Sequence, residues 1–184
     1  MRGRPFPTLA VLMVGTTTVL TCLRTRYPGI SAAVRRDRHG LEHGQVWRLV
    51  SPVLSQPDPP LTCAVVFLCV LAAGIWVEMM WGHRCWLALY LTGALVGHSA
   101  GFLWQPGGSG ASVAGCGLLG GILIWLLRGG PVQARFWAVV WLGIAVVDTI
   151  YRDIHGLPII AGALAGAYLL RDAEPPLSPR RMGE

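Results

Sequence analysis

The chain has 184 residues, of which 53% are hydrophobic and only 13% are charged, and its mean hydropathy is +0.54. A soluble domain with so few charged residues lacks the polar side chains to cover its surface, so the composition argues against a soluble fold and favours a membrane protein. The net charge of +6 comes from arginines scattered through loops and tails, without interleaved aromatic residues. This pattern argues against a nucleic-acid partner and favours contact with anionic lipid headgroups.

Six apolar segments follow one another along the chain, separated by polar stretches. Each is close to the roughly 17–25 residues that a membrane-spanning helix needs. The fourth and sixth segments are short and rich in glycine, which is typical of helices enclosed by other helices. The sequence therefore predicts an all-α, polytopic membrane domain over residues 8–170, with helices at 8–23, 61–81, 85–104, 111–128, 134–150 and 156–170.

The first segment follows Arg2 and Arg4 and so resembles a signal peptide, but it lacks a small-residue cleavage site. We interpret it as a retained first helix behind a cytoplasmic tail, 1–7. The longest connection, 24–60, contains amphipathic sequence and is expected to lie on the membrane surface. The C-terminal tail, 171–184, is rich in proline and arginine and is expected to be disordered. The arginines are nearly balanced between the two sides and favour a cytoplasmic N-terminus only weakly.

A glycine-rich loop, 105–111, leads into the fourth segment, and Ser112 lies at its entry. The start of a helix leaves N–H groups unpaired at the positive end of the helix dipole, a combination suited to holding an oxyanion. Ser112 is therefore a candidate nucleophile. The alternative is that Ser109 or Ser112 caps the helix, which is a common role for serine, and the loop alone favours this alternative.

The sixth segment begins with Asp153 and His155, and Gly162 and Gly166 fall on the same helical face as the imidazole. This spacing predicts the close approach of another backbone. The fourth segment offers three glycines for it: Gly117, Gly120 and Gly121. His155 and Ser112 each begin an even-numbered span, so we expect both at the same membrane face. The alternative is an interfacial histidine bonded to Asp153 or to a backbone carbonyl.

Together, the two side chains predict nucleophilic catalysis. If they meet, His155 can act as general base toward the Ser112 hydroxyl and then as acid toward a leaving amine. An ionisable residue at the edge of a membrane span is also a functional candidate by default, because leaving it unpaired in hydrocarbon is costly.

Four segments of the sequence, taken in chain order, resemble the motifs of the rhomboid family of intramembrane serine proteases. They are 44–52 (the WR loop motif, with Trp47 and Arg48), 78–82 (the ExxxG ending of the second span, Glu78 to Gly82), 110–120 (the nucleophile motif) and the helix of His155 and Gly162. The resemblance covers roughly residues 40–170. The joint order is far more specific than any single motif.

The resemblance implies a six-helix rhomboid-like bundle that cleaves transmembrane protein substrates within the bilayer, without a metal or a soluble cofactor. The five cysteines also argue against zinc and disulfides, since no two have CxxC spacing. Ser112 would be the nucleophile and His155 the base, with the Ser112 backbone N–H helping to bind the oxyanion. The loop residues around the oxyanion would be Gly110, Ala111 and Val113. The residues with implied structural roles are Trp47, Arg48, Glu78, Gly82, Gly117, Gly120, Gly162 and Gly166.

The sequence departs from the family pattern at the side-chain oxyanion donors. Counting back from Glu78, the positions at which rhomboids usually place a His and an Asn hold Thr62 and Val66. Losing one such donor typically costs about 10²–10³ in rate. His98, in the third predicted span, is a candidate substitute donor, although a packed or pore-facing histidine is its more common role.

Two glycines of the family pattern are also replaced. Val113 follows the nucleophile, and Pro158 lies three residues after His155, in the first turn of the helix, where proline is tolerated. If the two glycines of the sixth segment were matched to the family's helix glycines instead, the histidine position would fall on Ile159. No base would then remain.

Three functions follow from these observations. The presence of both a serine and a histidine at suitable span entries favours the protease, in a bacterial plasma membrane, with transmembrane proteins as substrates. An inactive rhomboid-like protein that binds membrane clients is the alternative, and Thr62 and Val66 motivate it. A small transporter or channel is disfavoured because charge within the predicted spans is scarce beyond Glu78 and Asp148. The sequence does not indicate an oligomeric state.

Overall fold

A computed structural model describes residues 6–172 and is all-helical, with no β-strand in that range. The α-helices of this range are α1 (Thr8–Arg26), α2 (Pro28–Val34), α3 (Arg38–Glu42), α4 (Pro60–Trp104), α5 (Ser112–Gly129), α6 (Val132–Ile150) and α7 (Gly156–Leu169). Two 3₁₀ helices, Val46–Leu49 and Ser51–Leu54, precede α4. The predicted all-α fold is confirmed. Most of the two predicted tails, 1–5 and 173–184, lies outside the described residues.

Four helices, α1, α4, α5 and α6, are long and apolar enough to cross a membrane, and α7 is shorter. Together these helices occupy all the predicted apolar segments, because α4 includes both 61–81 and 85–104. Their lengths and composition suggest a membrane protein. The number of crossings and their orientation stay predictions.

The long helix α4 is broken at Gly82, whose φ of 82° and ψ of 173° are not helical. A positive φ costs glycine little, because it has no Cβ. A Cβ added at Gly74 would lie 3.0 Å from Nε1 of Trp86. Twelve residues of straight helix would separate these two residues by about 18 Å, so the arms before and after Gly82 fold back on each other. The predicted boundary between the second and third segments therefore lies at this glycine.

Glu78, in the first arm of α4, is fully buried and holds the start of α1. Its carboxylate accepts hydrogen bonds from the backbone N–H groups of Leu9 and Ala10, both at 2.8 Å. His83 bonds the same carboxylate. The first N–H groups of a helix are unpaired and lie at the positive end of its dipole, so the carboxylate stabilises α1 and ties it to α4.

The connection between α1 and α4 is held together by the buried Arg48. Its guanidinium donates to the carbonyl oxygens of Ala32 and Arg35, each at 2.9 Å, and to Oε1 of Gln45 at 2.6 Å. Trp47, its neighbour in the WR motif, is 55% exposed. Arg48 therefore has structural contacts in the connection, whereas Trp47 packs little against the described part of the chain. The position of this connection on a membrane surface stays a prediction.

Helices α5 and α7 approach each other through glycines, as the spacing predicted. A Cβ at Gly162 would collide with the carbonyl oxygen of Gly117, and one at Gly120 would collide with that of Ile159. Gly166 likewise packs against the α5 backbone. The small residues let the two backbones touch, and this contact fixes the N-terminal ends of α5 and α7 relative to each other.

Candidate active site

Ser112 is the first residue of α5, and His155 immediately precedes α7. The Ser112 Oγ and the His155 Nε2 are 3.0 Å apart, which is hydrogen-bonding distance. The residue at the N-cap of α5 is Ala111, and no side chain caps the helix. The predicted contact between the Ser112 hydroxyl and the His155 imidazole is confirmed. Neither Ser109 nor Ser112 caps α5 through its side chain, so that alternative is wrong.

Asp153 lies on the other side of the imidazole from Ser112. Its Oδ1 accepts hydrogen bonds from the ring Nδ1 of His155 at 2.7 Å and from the backbone N–H of His155 at 2.9 Å. Because Nδ1 donates, Nε2 keeps its lone pair for the Ser112 hydroxyl; this tautomer follows from the hydrogen-bond network. The two partners proposed for His155 as alternatives are therefore bonded at once, in the order Asp153, His155, Ser112.

The side chains of Asp153 and His155 are partly exposed, at 44% and 40%. Partial burial raises the pKa of Asp153, but the hydrogen bonds from the backbone N–H and the ring of His155 lower it by more, so this pKa lies below its usual value. The carboxylate is therefore ionised at neutral pH and stabilises positive charge on the imidazole. Solvent weakens this attraction relative to a buried pair.

A cavity of about 410 Å³ opens beside the reactive pair. The connection before α4, the first arm of α4 and the loops before α5 and α7 all contribute to its lining. The lining includes Arg36, Gln56, Thr62, Val66, Ser112 and His155. Polar and apolar groups both face this space, so a polar group or a water molecule can fit there beside an apolar chain.

Thr62 and Val66 line this cavity, so the two positions that the family pattern assigns to side-chain donors do face the site. Valine has no donor to offer there. His98 does not supply one: it is fully buried, its Nδ1 is 2.8 Å from Nη1 of Arg36, and it is absent from the cavity lining within the described residues. The suggestion of His98 as a substitute donor is therefore wrong, and the packed role is the one observed.

Arg36 was not found from the sequence, although it is only 2% exposed and lines the cavity. Its guanidinium donates to His98 and, through Nε at 3.2 Å, to the carbonyl oxygen of Gln105, and burial lowers its pKa. Its backbone pairs with Gly108 in the loop before α5. Arg36 therefore joins the early connection to the nucleophile loop.

Gln56 was also missed. It is 3% exposed, and its Oε1 accepts a hydrogen bond from the backbone N–H of Ala111 at 2.8 Å. Its amide nitrogen donates to the carboxylate of Asp58. Both Gln56 and Arg36 lie in a connection without hydrophobic periodicity, so no sequence pattern marks them. A buried polar side chain in a loop is visible only once the fold is known.

Of the other loop residues expected around the oxyanion, Gly110 donates its N–H to the carbonyl oxygen of Pro52 at 2.9 Å, and Val113 is fully buried. The Val113 side chain packs against Gly97 of α4, where a Cβ would collide with it. Pro158 packs against the same glycine, 2.9 Å from that Cβ position. The two residues that replace family glycines thus occupy space that Gly97 leaves free.

The contact between His155 and Ser112 also bears on how α7 is matched to the family motif. Ile159 is buried and presents its backbone to Gly120, in the interface of α5 and α7. His155, not Ile159, reaches the nucleophile. The match of α7 to the family motif stays a prediction.

A second cavity, of about 400 Å³, adjoins Ser112 among the first arm of α4, α5 and α6. Its lining is apolar and includes Val65, Cys69, Ala73, Cys116 and Trp141. Val65 and Cys69 are exposed on the outside of the bundle, so this cavity opens laterally. It connects the nucleophile with the apolar surface.

Within residues 6–172, no group of three or more His, Cys, Asp and Glu side chains is arranged to hold a metal ion. No protein-family model matches this sequence, and no curated protein matches it either. Functional inference therefore depends on the geometry of Asp153, His155 and Ser112, and on the order of the motifs along the chain.

Proposed function

We propose that the protein is an intramembrane serine endopeptidase of the rhomboid type, with Ser112 as nucleophile and His155 as general base. The observation that carries this proposal is the 3.0 Å hydrogen bond between Ser112 Oγ and His155 Nε2. A serine hydroxyl bonded to an imidazole, which is itself held by a carboxylate, is activated for attack on a carbonyl carbon.

The reaction takes place in two halves. Ser112 Oγ bonds to the peptide carbonyl carbon while its proton moves to His155 Nε2, and the carbonyl oxygen becomes an oxyanion. The C–N bond then breaks, the amine leaves with the proton from His155, and an acyl-enzyme remains. Water gives a proton to His155 as it attacks the acyl carbon, and collapse releases the carboxylic acid and restores the Ser112 hydroxyl.

Asp153 acts in this scheme as a positioning residue. Its two hydrogen bonds to His155 hold the ring with Nε2 toward Ser112. Its negative charge favours the imidazolium that forms when His155 takes the proton. Because the carboxylate is partly exposed, we expect a smaller contribution than a fully buried aspartate would make.

Transmembrane segments are the proposed substrate class. The long apolar helices support a bilayer setting, in which a substrate helix hides its carbonyls in internal hydrogen bonds. The segment must therefore unwind before Ser112 can attack, so substrates with glycine or proline near the cleaved bond are favoured. The lateral apolar cavity beside Ser112 is suited to receive such a segment from lipid.

The alternative function is an inactive rhomboid-like protein that binds membrane clients. The observation in its favour is the absence of a donor at Val66, where the family has one facing the site. In that case Ser112 and His155 would be bonded without turning over a substrate.

Labelling with a serine-reactive fluorophosphonate tests the proposal without a known substrate. The purified native protein in detergent is expected to be labelled, and Ser112→Ala is expected to show none. Because the hydroxyl is a poor nucleophile without its base, His155→Ala should lower the labelling rate by about 10³ or more.

Ser109→Ala is the matched control, since Ser109 lies in the same loop and lines the same cavity. Its labelling rate should stay within about threefold of the native rate, which is under 1 kcal/mol. Labelling that persists in Ser112→Ala would remove Ser112 as the nucleophile. A native protein that is folded but unlabelled would favour the client-binding function.

A further inference from the structure

The proposed protease needs hydrogen-bond donors for the oxyanion, and the family's side-chain donors are missing. The first turn of α5 leaves backbone N–H groups without intrahelical partners next to Ser112. One of them is already taken, because the Ala111 N–H donates to Gln56. In the second predicted span Val66 offers no donor and Thr62 is exposed, so a buried side-chain donor has to come from another element.

We propose that the side-chain amide of Gln56 is the replacement oxyanion donor, a catalytic role that depends on the proposed function of Ser112. Gln56 comes from the connection before α4 and lines the cavity that contains Ser112 and His155. It is the amide nitrogen, Nε2, that would donate to the oxyanion of the substrate.

The orientation of this amide is fixed by its neighbours. The backbone N–H of Ala111 can only donate, so the atom that it contacts must be the oxygen, Oε1. The opposite atom, Nε2, donates to the carboxylate of Asp58, which can only accept when ionised. An amide nitrogen carries two hydrogens, so one donor remains after the bond to Asp58.

Gly110 keeps free the space between the amide and the nucleophile. A Cβ added at Gly110 would lie 3.3 Å from Ser112 Oγ, 3.5 Å from Oε1 of Gln56 and 3.9 Å from its Nε2. Any larger residue would fill this space. The glycine thus leaves room for a small group between Ser112 Oγ and the Gln56 amide, and an oxyanion there would have to lie on the Nε2 side, because Oε1 only accepts.

Gln56 is held rigidly enough to act without reorganising. The side chain is 3% exposed and both ends of its amide are bonded. Its backbone N–H donates to Oγ1 of Thr21 in α1 at 3.0 Å. Donors that are already fixed where charge develops stabilise a transition state more than mobile ones do.

Arg36 is the other buried donor in the cavity, and its position differs. Its guanidinium lies against Gly101 and Gly108, and it is already bonded to His98 and Gln105. Of the two residues, Gln56 is the one that lies against Gly110. The geometry therefore favours Gln56.

Two variants separate a donor from a residue that only supports the loop. Gln56→Met keeps the length of the side chain and removes the donor without adding charge. The double variant Gln56→Glu with Asp58→Asn keeps an acceptor for the Ala111 N–H and keeps the total charge, because the carboxylate and the amide exchange places. Gln133→Met, the same substitution at an exposed position of α6, is the control.

The probe is the fluorophosphonate, whose P=O oxygen gains negative charge as Ser112 Oγ attacks phosphorus and fluoride leaves. We expect the labelling rate to fall by about 10²–10³ in both Gln56 variants and by less than threefold in Gln133→Met. The melting temperature in detergent should stay near the native value in the double variant.

A double variant labelled within threefold of the native rate would overturn the role of Gln56 and leave the proposed protease intact. A native protein without Ser112-dependent labelling would overturn both proposals.

Discussion

On one side of the site, α5 and α7 pack through glycines, with backbone against backbone. On the other side, the first arm of α4 and α6 contribute side chains that surround an open cavity. Burial follows the same division. In the most apolar stretch of each helix, 44% of α5 is buried but only 11% of α6. Ser112 and His155 thus lie on the tightly packed side, and the lateral cavity lies on the loosely packed side.

This difference has a physical reason. A nucleophile and its base must keep a hydrogen bond near 3 Å, and backbone contacts between two helices allow little adjustment. In the proposed protease, a substrate segment would enter from the lipid, so the opposite side would need side chains that can give way. The two sides therefore predict different responses to substitution.

The largest expected effect comes from adding a side chain at the contact between α5 and α7. Gly162→Val would put methyl groups into the backbone of Gly117, which cannot move without separating α5 from α7. We expect fluorophosphonate labelling to fall below detection and the melting temperature to drop, since overpacking costs about 1–3 kcal/mol or more. Gly143→Val, in α6, is the control, because no atom lies within 4 Å of that Cβ position. Native-like labelling of Gly162→Val would contradict the tight contact.

An intermediate effect is expected from Asp153→Asn, which keeps the shape of the side chain that orients His155. The amide cannot accept from Nδ1 as strongly and provides no charge, so the labelling rate should fall by about 10–100-fold. Asp172→Asn is the control at an exposed carboxylate and should change the rate less than twofold. Equal rates for the two variants would mean that Asp153 does not position the imidazole.

The pH dependence of the Asp153 contribution has a definite sign. Its pKa is lowered in the folded protein, so the stability that it provides is present above its unfolded pKa, about 3.9, and is lost as the pH falls through the lowered folded value. The difference in melting temperature between the native protein and Asp153→Asn should therefore shrink only in strongly acidic buffer. A difference that vanished near neutral pH would speak against this hydrogen-bonded carboxylate.

The smallest expected effect, and the most selective, comes from filling the lateral cavity beside the first arm of α4 and α6. Cys69→Phe would occupy the lateral cavity without touching the α5–α7 contact. Cleavage of a quenched-fluorescence transmembrane reporter peptide containing glycine should slow by about tenfold, or 1.4 kcal/mol, while labelling by the small fluorophosphonate stays within threefold. Leu68→Phe, on the exposed outer face, is the neighbouring control and should leave both rates unchanged. Equal loss in both assays for Cys69→Phe would mean that the cavity does not admit the substrate.

The parts of the site that the sequence predicted share one property, namely a local or periodic signal. Ser112 follows a glycine-rich loop at a helix entry, and His155 stands above glycines spaced one helical turn apart. Helix geometry turns such spacings into shared faces. An interruption between 81 and 85 was likewise predicted, because polar residues separate two apolar runs there.

The residues that the sequence did not reveal depend on contacts between distant segments. Gln56 meets Ala111 fifty-five positions later, and Arg36 meets His98 sixty-two positions later. For neither residue does the surrounding sequence predict the partner. Asp153 was noticed, but only as an alternative partner for His155, because the sequence cannot show that one imidazole bonds two groups at once.

By itself, then, the sequence determined the all-α class and the positions of the apolar helices, and it identified the two side chains, Ser112 and His155, that meet in the structure, since composition and the 3.6-residue period act locally along the chain. Only the tertiary structure decided how α4 folds back at Gly82, how Val113 and Pro158 share the space at Gly97, and which side chains line the two cavities. These features arise where backbones from separate segments come into contact. Packing at such places depends on the shapes of both partners, and no single segment contains that information.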